Sequence, residues 1–438
     1  MIENAEQQQA INCKDKRILV LAGAGSGKTK TLIDKIKFYI NSKKINPKNI
    51  LAITFMRDAV HEIKDRLIEY SDKSKSYQTD LQNSGYSEMI RKNYIDKNSV
   101  LKSLTIRTFH SLCYTILKEN GASFFDNQFK LLRDDQMAFK IEDANNTSME
   151  SVNSLFRKSV ISACEHEELF MINLEQYLIE NYFDKKTKGL RDPKEYSNLL
   201  NYICCDGTIV KSKSEQRIVD WFISKGYAIE YEPLEVSSSF KFKPDFKLST
   251  KEFYIEHKSS LSVQLNDKLK ALKEAGKPVF VTEEDWMHDS KKIENELMSI
   301  LRNVYDGNYT ANFSKEFDNR FRFLEKELST FFKEVKQAYE LAKSQNIEYE
   351  DISNLKSDLF KHRRIKKFYE LLPVVWKYYE SLKKKNSVLD YNDLISLTIR
   401  LFEQNEKIKN YYQDKFKCIL VDEFQDVDPV QVAVHKIF

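Results

Sequence analysis

The chain has 438 residues, 41% hydrophobic and 31% charged, with only 10 Gly and 7 Pro; roughly two to four folded domains fit this length, and collagen-like, linker-like and disordered classes are excluded. Seventy basic against 66 acidic residues leave a formal charge of +4, too little to argue for nucleic acid from net charge, so any basic surface must be local. The six cysteines, Cys13, Cys113, Cys164, Cys204, Cys205 and Cys418, show no CxxC spacing. They fit buried thiols in a reducing compartment. The polar N-terminal stretch and the lack of an apolar run of about 18 residues argue against a signal peptide and a membrane span. The protein is expected in the cytoplasm.

Residues 17–125 alternate apolar runs with helical patterns. Residues 18–21 read as a strand before a helix from Lys28, and residues 50–54 as a strand before a helix through Ala59, Ile63 and Leu67. This alternation predicts a parallel sheet covered by helices. Residues 71–103 are polar, then TIRTFHSLCYTIL resumes a strand-to-helix pattern, and residues 126–207 are irregularly helical. Residues 208–302 read as a helix from Ser214 to Lys225 ended by Gly226, strands in AIEYEPLEV, KPDFKLS and EFYIEHKSS, a helix from Val263 to Glu274, and a strand in PVFVTEEDW. That order predicts a separate mixed-sheet domain. Phe317, Phe321, Leu324, Leu328, Phe331, Val335 and Ala338 form an apolar seam along a long helix, which favours packing inside an all-α region over an intermolecular coiled coil. The basic runs at 361–367 and 383–385 read as solvated helix faces, with DNA contact the weaker alternative. The sequence KCILVDEFQDVDPVQVAVHKIF then gives a buried strand, an acidic turn and a helix that begins at Asp428 and Pro429.

Two stretches carry nucleotide chemistry. AGAGSGKT, residues 22–29, follows an apolar run and opens a helix, the context that a phosphate-binding loop requires. In Ala22, Gly23, Ala24, Gly25, Ser26, Gly27, Lys28 and Thr29, the glycines let backbone N–H groups approach phosphate oxygens. The helix start favours negative charge, Lys28 reaches the β and γ phosphates of ATP, and Thr29 ligates Mg²⁺. The partner is ILVDEFQD. A carboxylate ending a buried strand needs a cation, which assigns Asp422 to Mg²⁺ and Glu423 to activating the attacking water.

These motifs resemble a family. NAEQ with Gln7 looks like an adenine-reading Q motif, AGAGSGKT like motif I, ILAITFMRDAVHEIKDRL like motif Ia, TIRTFHSLC like the next DNA-contact motif, and VLDYNDLI with ILVDEFQDVDPVQ like the approach to motif II. Their order resembles that of UvrD/Rep-type superfamily 1 DNA helicases over roughly residues 1–125 and 370–438. The resemblance implies a P-loop RecA-like α/β fold and ATP-driven 3′ to 5′ translocation on single-stranded DNA, or on DNA with a single-stranded tail. It also implies that Gln7 reads adenine and that Gln425 couples nucleotide state to DNA. Phe55, Thr108, Phe109 and His110 fall where the family lines its DNA path, and the resemblance favours DNA contact; the alternative reading is that Phe55 and Phe109 are core residues and Thr108 or Ser111 an N-cap. MRDA departs from the family's usual TNKA, so Arg57 stands where the family presents Asn.

Within 208–302, strand alternation puts Glu256 and Lys258 on one face and His257 on the other, so Asp245, Glu256 and Lys258 can converge. Two carboxylates would hold a metal ion, Lys258 would orient water, and Glu215 could add a ligand. The pattern resembles the restriction-endonuclease-like PD-(D/E)xK nucleases. Against it, Ser212-x-x-Glu215 is also a capping box, and a remnant that only binds is the alternative.

The expected organisation is a RecA-like α/β domain in two segments, 1–125 and 373–438, with helical insertions at 126–207 and 303–372 flanking a nuclease-like domain at 208–302. By the resemblance, the RecA-like sheet is incomplete at its C-terminus, since motif III and a second RecA-like domain are missing. The chain is therefore expected to be a portion of a longer protein, a split-gene product or half of a two-chain assembly. Two functions remain open: the ATPase part of a helicase with an inserted DNA nuclease, serving repair or defence against foreign DNA, or a non-hydrolysing module that grips DNA or a partner.

Overall fold

The computed structural model describes residues 5–23, 25–83, 87–121, 128–133, 147–186, 202–236, 241–249, 251–258, 265–285, 289–304, 313–355, 362–427 and 429–432. It is a mixed α/β structure in two compact units, one of residues 1–155, 338–348 and 380–438, the other of residues 156–337 and 349–379. In chain order the described strands are β1 (Ile50–Thr54), β2 (Thr105–Thr108), β3 (Lys130–Arg133), β4 (Thr147–Ser151), β5 (Ile229–Tyr231), β6 (Glu235–Val236), β7 (Lys241–Phe242), β8 (Phe246–Leu248), β9 (Phe253–Lys258), β10 (Val279–Glu283), β11 (Val388–Leu389) and β12 (Cys418–Val421).

The first unit holds two parallel sheets, ordered β12-β1-β2 and β11-β3-β4. Every residue of β1 is buried, the unbroken apolar run of a strand covered on both faces. Alternation sorts its side chains: Leu51 and Ile53 pack with Leu112, Ile116 and Leu117 of the helix Phe109–Asn120. Ala52 packs with Ile63, Leu67 and Ile68 of the helix Arg57–Ser71. Burying each large aliphatic side chain contributes about 1.5–3 kcal/mol, so β1 is the strand that both layers of helices hold.

Residues 18–21 differ from the expected strand. They pair with no described strand, and Leu19 and Leu21 are 68% and 87% exposed. An apolar run supplies strand composition, but only a ladder partner satisfies its backbone groups. Here the one described neighbour of β12 is β1, and β12 itself is half-buried.

The second unit contains the sheet β10-β9-β8-β5, parallel only between β10 and β9, and the small β6-β7 pair. Its core joins Phe246, Leu248 and Ile255 of the sheet to Ile218 and Phe222 of the helix Lys213–Ser224 and to Leu297 and Ile300 of the helix Ser290–Val304. Within this unit the seam residues Phe317, Phe321, Leu324, Leu328, Phe331 and Val335 are all buried, along helices Phe313–Phe321 and Glu325–Ser344 joined by a 3₁₀ turn.

The basic runs need correction. Lys383 is buried, and its Nζ donates to Tyr339 Oη at 2.9 Å, Asp390 Oδ2 at 3.0 Å and both Asp393 oxygens at 2.8 Å. Burial opposes its charge, but the two aspartates outweigh burial and keep it an ammonium. The same carboxylates form the capping box that starts the helix Tyr391–Gln404. Lys383 extends the buried stripe of Trp376 and Tyr379 by one helical turn, whereas Lys384 and Lys385 are exposed. Lys367 is bonded to Glu180 Oε1 at 2.6 Å. Lys361 lies outside the described residues. Among the described residues no helix is long and apolar enough to cross a membrane.

Candidate functional site

The helix Lys28–Asn41 starts from Gly27 in the left-handed conformation (φ 88°), a residue with no side chain to cap it. Gly25 is also left-handed, with φ 73°. Both positions suit glycine, and an uncapped helix start presents N–H groups and positive dipole to an anion. The turn is braced by the Ser26 amide and hydroxyl, which donate to Gly23 O at 3.3 and 2.7 Å. Thr29 is half-buried, Ala22 and Gly23 are exposed, and Ala24 lies outside the described residues.

Gln7 reaches this loop from the helix Ala5–Asn12, its Nε2 donating to Ser26 O at 2.7 Å. A Cβ at position 27 would stand 2.8 Å from that nitrogen. The helix is held by a residue that belongs to none of the motifs. Lys35 Nζ donates to Ala10 O, Ile11 O and Cys13 O at 3.1, 2.8 and 2.7 Å, satisfying terminal carbonyls where a cation also suits the helix dipole. Burial pulls the Lys35 pKa down.

Asp422 follows β12, its amide donating to Ile53 O at 2.9 Å. It is 6% exposed, and burial pushes its carboxyl above the usual range. Glu423 has left-handed backbone (φ 50°), costly for a residue with a Cβ and typical of functional sites. Its Oε2 accepts from the Gln425 amide and lies 3.3 Å from Lys28 Nζ; Gln425 first and Lys28 second lower its pKa. Thus Lys28, Glu423 and Gln425 meet, while the adjacent carboxyls of Asp422 and Glu423 shift in opposite directions. The hard oxygens of Thr29 and Asp422 suit Mg²⁺.

The four residues predicted along a DNA path divide. Phe109 is 1% exposed in the core, and Thr108 Oγ1 accepts the Ser111 N–H at 3.2 Å as the cap of the helix Phe109–Asn120. Phe55 is half-buried with its ring 5.7 Å from that of Phe109. The His110 and Tyr391 rings meet edge to face with centroids 5.6 Å apart, and burial lowers the His110 pKa to about 4. Arg57 is paired with Glu88.

In the second unit, Asp245 precedes β8 and Glu256 lies on β9. The Asp245 amide donates to Glu256 Oε1 at 3.1 Å, and Asp245 Oδ2 accepts the His257 N–H at 2.8 Å. The lysine found between the carboxylates is Lys268, on the helix Leu265–Glu274, whose Nζ donates to Asp245 Oδ1 at 2.8 Å and Glu256 Oε2 at 3.2 Å. Glu256 is 1% exposed, and burial, then the Asp245 charge, raise its pKa to about 7. Lys258 instead has its side chain 56% exposed, 3.8 Å from Glu283. Its place at the solvent end of β9 carries the ammonium outward. Glu215 Oε2 accepts from Lys211 N at 2.8 Å and Tyr231 Oη at 2.9 Å, a role at the start of its helix. His257 is buried, bonded to Thr282 and Glu284. The two carboxylates fit a divalent cation by donor chemistry, and the Lys268 ammonium holds them together.

A family model for the UvrD/REP helicase N-terminal domain matches residues 3–438. The chain is 24% identical over 463 residues to an ATP-dependent helicase/nuclease subunit from Clostridium botulinum (strain 657 / Type Ba4), covering 98% of this chain and 32% of that protein. With the protein of the same name from Bacillus cereus (strain AH820), identity is 24% over 453 residues, covering 98% and 33%. With the ATP-dependent DNA helicase Rep of Buchnera aphidicola subsp. Schizaphis graminum, it is 28% over 218 residues, covering 48% and 29%. The chain therefore spans about a third of the length of the relatives it matches.

Proposed function

The chain belongs to the UvrD/REP helicase family, and from that premise we propose that it forms the ATP-binding part of a 3′ to 5′ motor on single-stranded DNA. The meeting of Lys28, Glu423 and Gln425 at an uncapped, glycine-bent helix start carries this reading. The RecA-like assignment rests on the parallel β12-β1-β2 sheet and its helices on both faces. The relatives' names, with their words helicase and ATP-dependent, agree with it.

In this reading the N–H groups of the loop and Lys28 bind the phosphates, Gln7 contacts adenine, and Thr29 and Asp422 hold Mg²⁺. The ion, when bound, neutralises charge on the phosphates. Glu423 takes the proton of the attacking water; its left-handed backbone aims the carboxylate off the strand end. Lys28, drawn to phosphate, would release Glu423 from their contact. Gln425 reports nucleotide state to DNA, and Phe55 and His110 are the better placed of the four proposed DNA contacts, since Phe109 and Thr108 serve core and cap. A second RecA-like domain would come from further chain or from another polypeptide, in keeping with the relatives' greater length.

The inserted unit is proposed as a metal-dependent DNA nuclease, with Asp245 and Glu256 as ligands and Lys268, in place of Lys258, beside the scissile phosphate. The word nuclease in the relatives' name agrees with this reading. The test uses the intact protein with single-stranded DNA: Lys28→Ala should abolish DNA-stimulated ATP hydrolysis, and Asp245→Ala should abolish Mg²⁺-dependent cleavage. Undiminished hydrolysis in the first variant would overturn the motor site. Equal cleavage by the second would leave the insert as a DNA-gripping unit.

A further inference from the structure

A second cluster of metal-ligating groups lies in the inserted unit, away in sequence from Asp245 and Glu256. Glu175 comes from the helix Glu168–Lys186, Asp220 from the helix Lys213–Ser224, and Cys205 from the turn before it. One ligand atom from each lies within 4.8 Å of the other two. All three are buried, at 6%, 2% and 0% exposure.

The surroundings do not complete the charge balance. Arg320 Nη2 donates to Glu175 Oε2 at 2.9 Å, and the Cys205 N–H donates to Asp220 Oδ1 at 2.7 Å. Glu175 Oε1, on the same carboxylate, is buried and has no hydrogen-bond partner among the described residues. Two buried carboxylates facing one guanidinium leave a negative charge, and an unpaired buried charge costs several kcal/mol. Either a proton on one carboxyl or a further cation must offset it.

We propose that Glu175, Cys205 and Asp220 form a Zn²⁺ site. A thiolate with two carboxylates is a donor set for this borderline ion, and a zinc shell sets its donors about 3.5 Å apart, so each would shift by under about 1 Å. Three anionic ligands against Arg320 and a dication sum to zero. The thiol proton leaves to solvent as the metal binds. Arg320 keeps Oε2, which orients the carboxylate and leaves Oε1 for the metal, as an outer-shell partner does. The elements so tied include the helix Lys213–Ser224, and with three protein ligands the fourth position of the ion falls to water.

The experiment measures zinc by mass spectrometry in the purified intact protein, then titrates the metal-free protein with Co²⁺ and follows the near-ultraviolet thiolate-to-cobalt absorption. The hard-oxygen sites proposed for Mg²⁺ contain no thiolate and give no such band, so the result stands apart from the helicase and nuclease readings. One zinc per chain and a cobalt band in the parent, lost in Cys205→Ser and weakened at least about tenfold in affinity in Glu175→Gln, are expected. A parent with neither zinc nor band would overturn the site in favour of a proton-balanced ion pair. So would an undiminished band in Cys205→Ser. Should that variant fail to fold, Glu175→Gln and the parent decide.

Discussion

The loop around Lys28 and the pair Asp245 and Glu256, both proposed as sites for a divalent cation, are assembled by different means. Around Lys28 the distinctive features belong to the backbone: two left-handed glycines and a helix start without a side-chain cap occupy neighbouring residues, so their spacing is written in the sequence. At Asp245 and Glu256 the groups are side chains, and the cation that joins them arrives from a helix that follows β9. Contiguous sites are readable from spacing, whereas assembled sites depend on how a later element turns. The Lys268 ammonium is therefore the residue on which the contrast can be broken.

The largest effect is expected for Lys28→Ala, which should lower DNA-stimulated ATP hydrolysis by about 10²–10³-fold and leave Mg²⁺-dependent cleavage unchanged in an assay without ATP. Next, Lys268→Ala should reduce cleavage about a hundredfold while Lys258→Ala costs less than about threefold; the reverse ranking in a nicking assay would restore the strand lysine to the role. Smaller still, Lys35→Met leaves the carbonyls of the helix Ala5–Asn12 without their donor. Because Gln7 rides on that helix, the KM for ATP should rise about tenfold with kcat little changed, an expectation for steady-state kinetics. The smallest concerns pH. His110 is held neutral, with a folded pKa of about 4 against 6.5 unfolded. Stability is thus unaffected above pH 6.5 and is lost as pH falls through that interval, by about 2 kcal/mol for this partly exposed ring. Urea titrations at both ends should show a smaller loss in His110→Gln.

Much of the first unit was legible because its signals are local. β1 is a buried apolar run and Lys28 the first residue of its helix, both where spacing puts them, whereas Thr108 takes the cap that stands only as the alternative to DNA contact. What was not legible needed long-range facts. Lys383 sits in a basic run, yet Asp390 and Asp393 take it into the interior, and only the stripe through Trp376 and Tyr379 hints at it. Phe109 could face DNA or the core by composition; the packing of Leu51 and Ile53 against its helix decides for the core. Glu215 matched both a metal ligand and a helix start, and the short contacts to Lys211 and Tyr231 occupy its carboxylate locally.

Ile18, Leu19, Val20 and Leu21 bear on how the protein behaves in a test tube. A β-branched and leucine-rich run that is exposed and pairs with no described strand is a template on which one molecule can add to another. Concentrated solutions of this polypeptide should self-associate, with sedimentation shifting to larger species as concentration rises. Replacing Leu19 and Leu21, the two most exposed of the four, by lysine should suppress the shift. On that expectation, the apolar run before the glycine-bent loop also sets the concentration at which this polypeptide begins to associate.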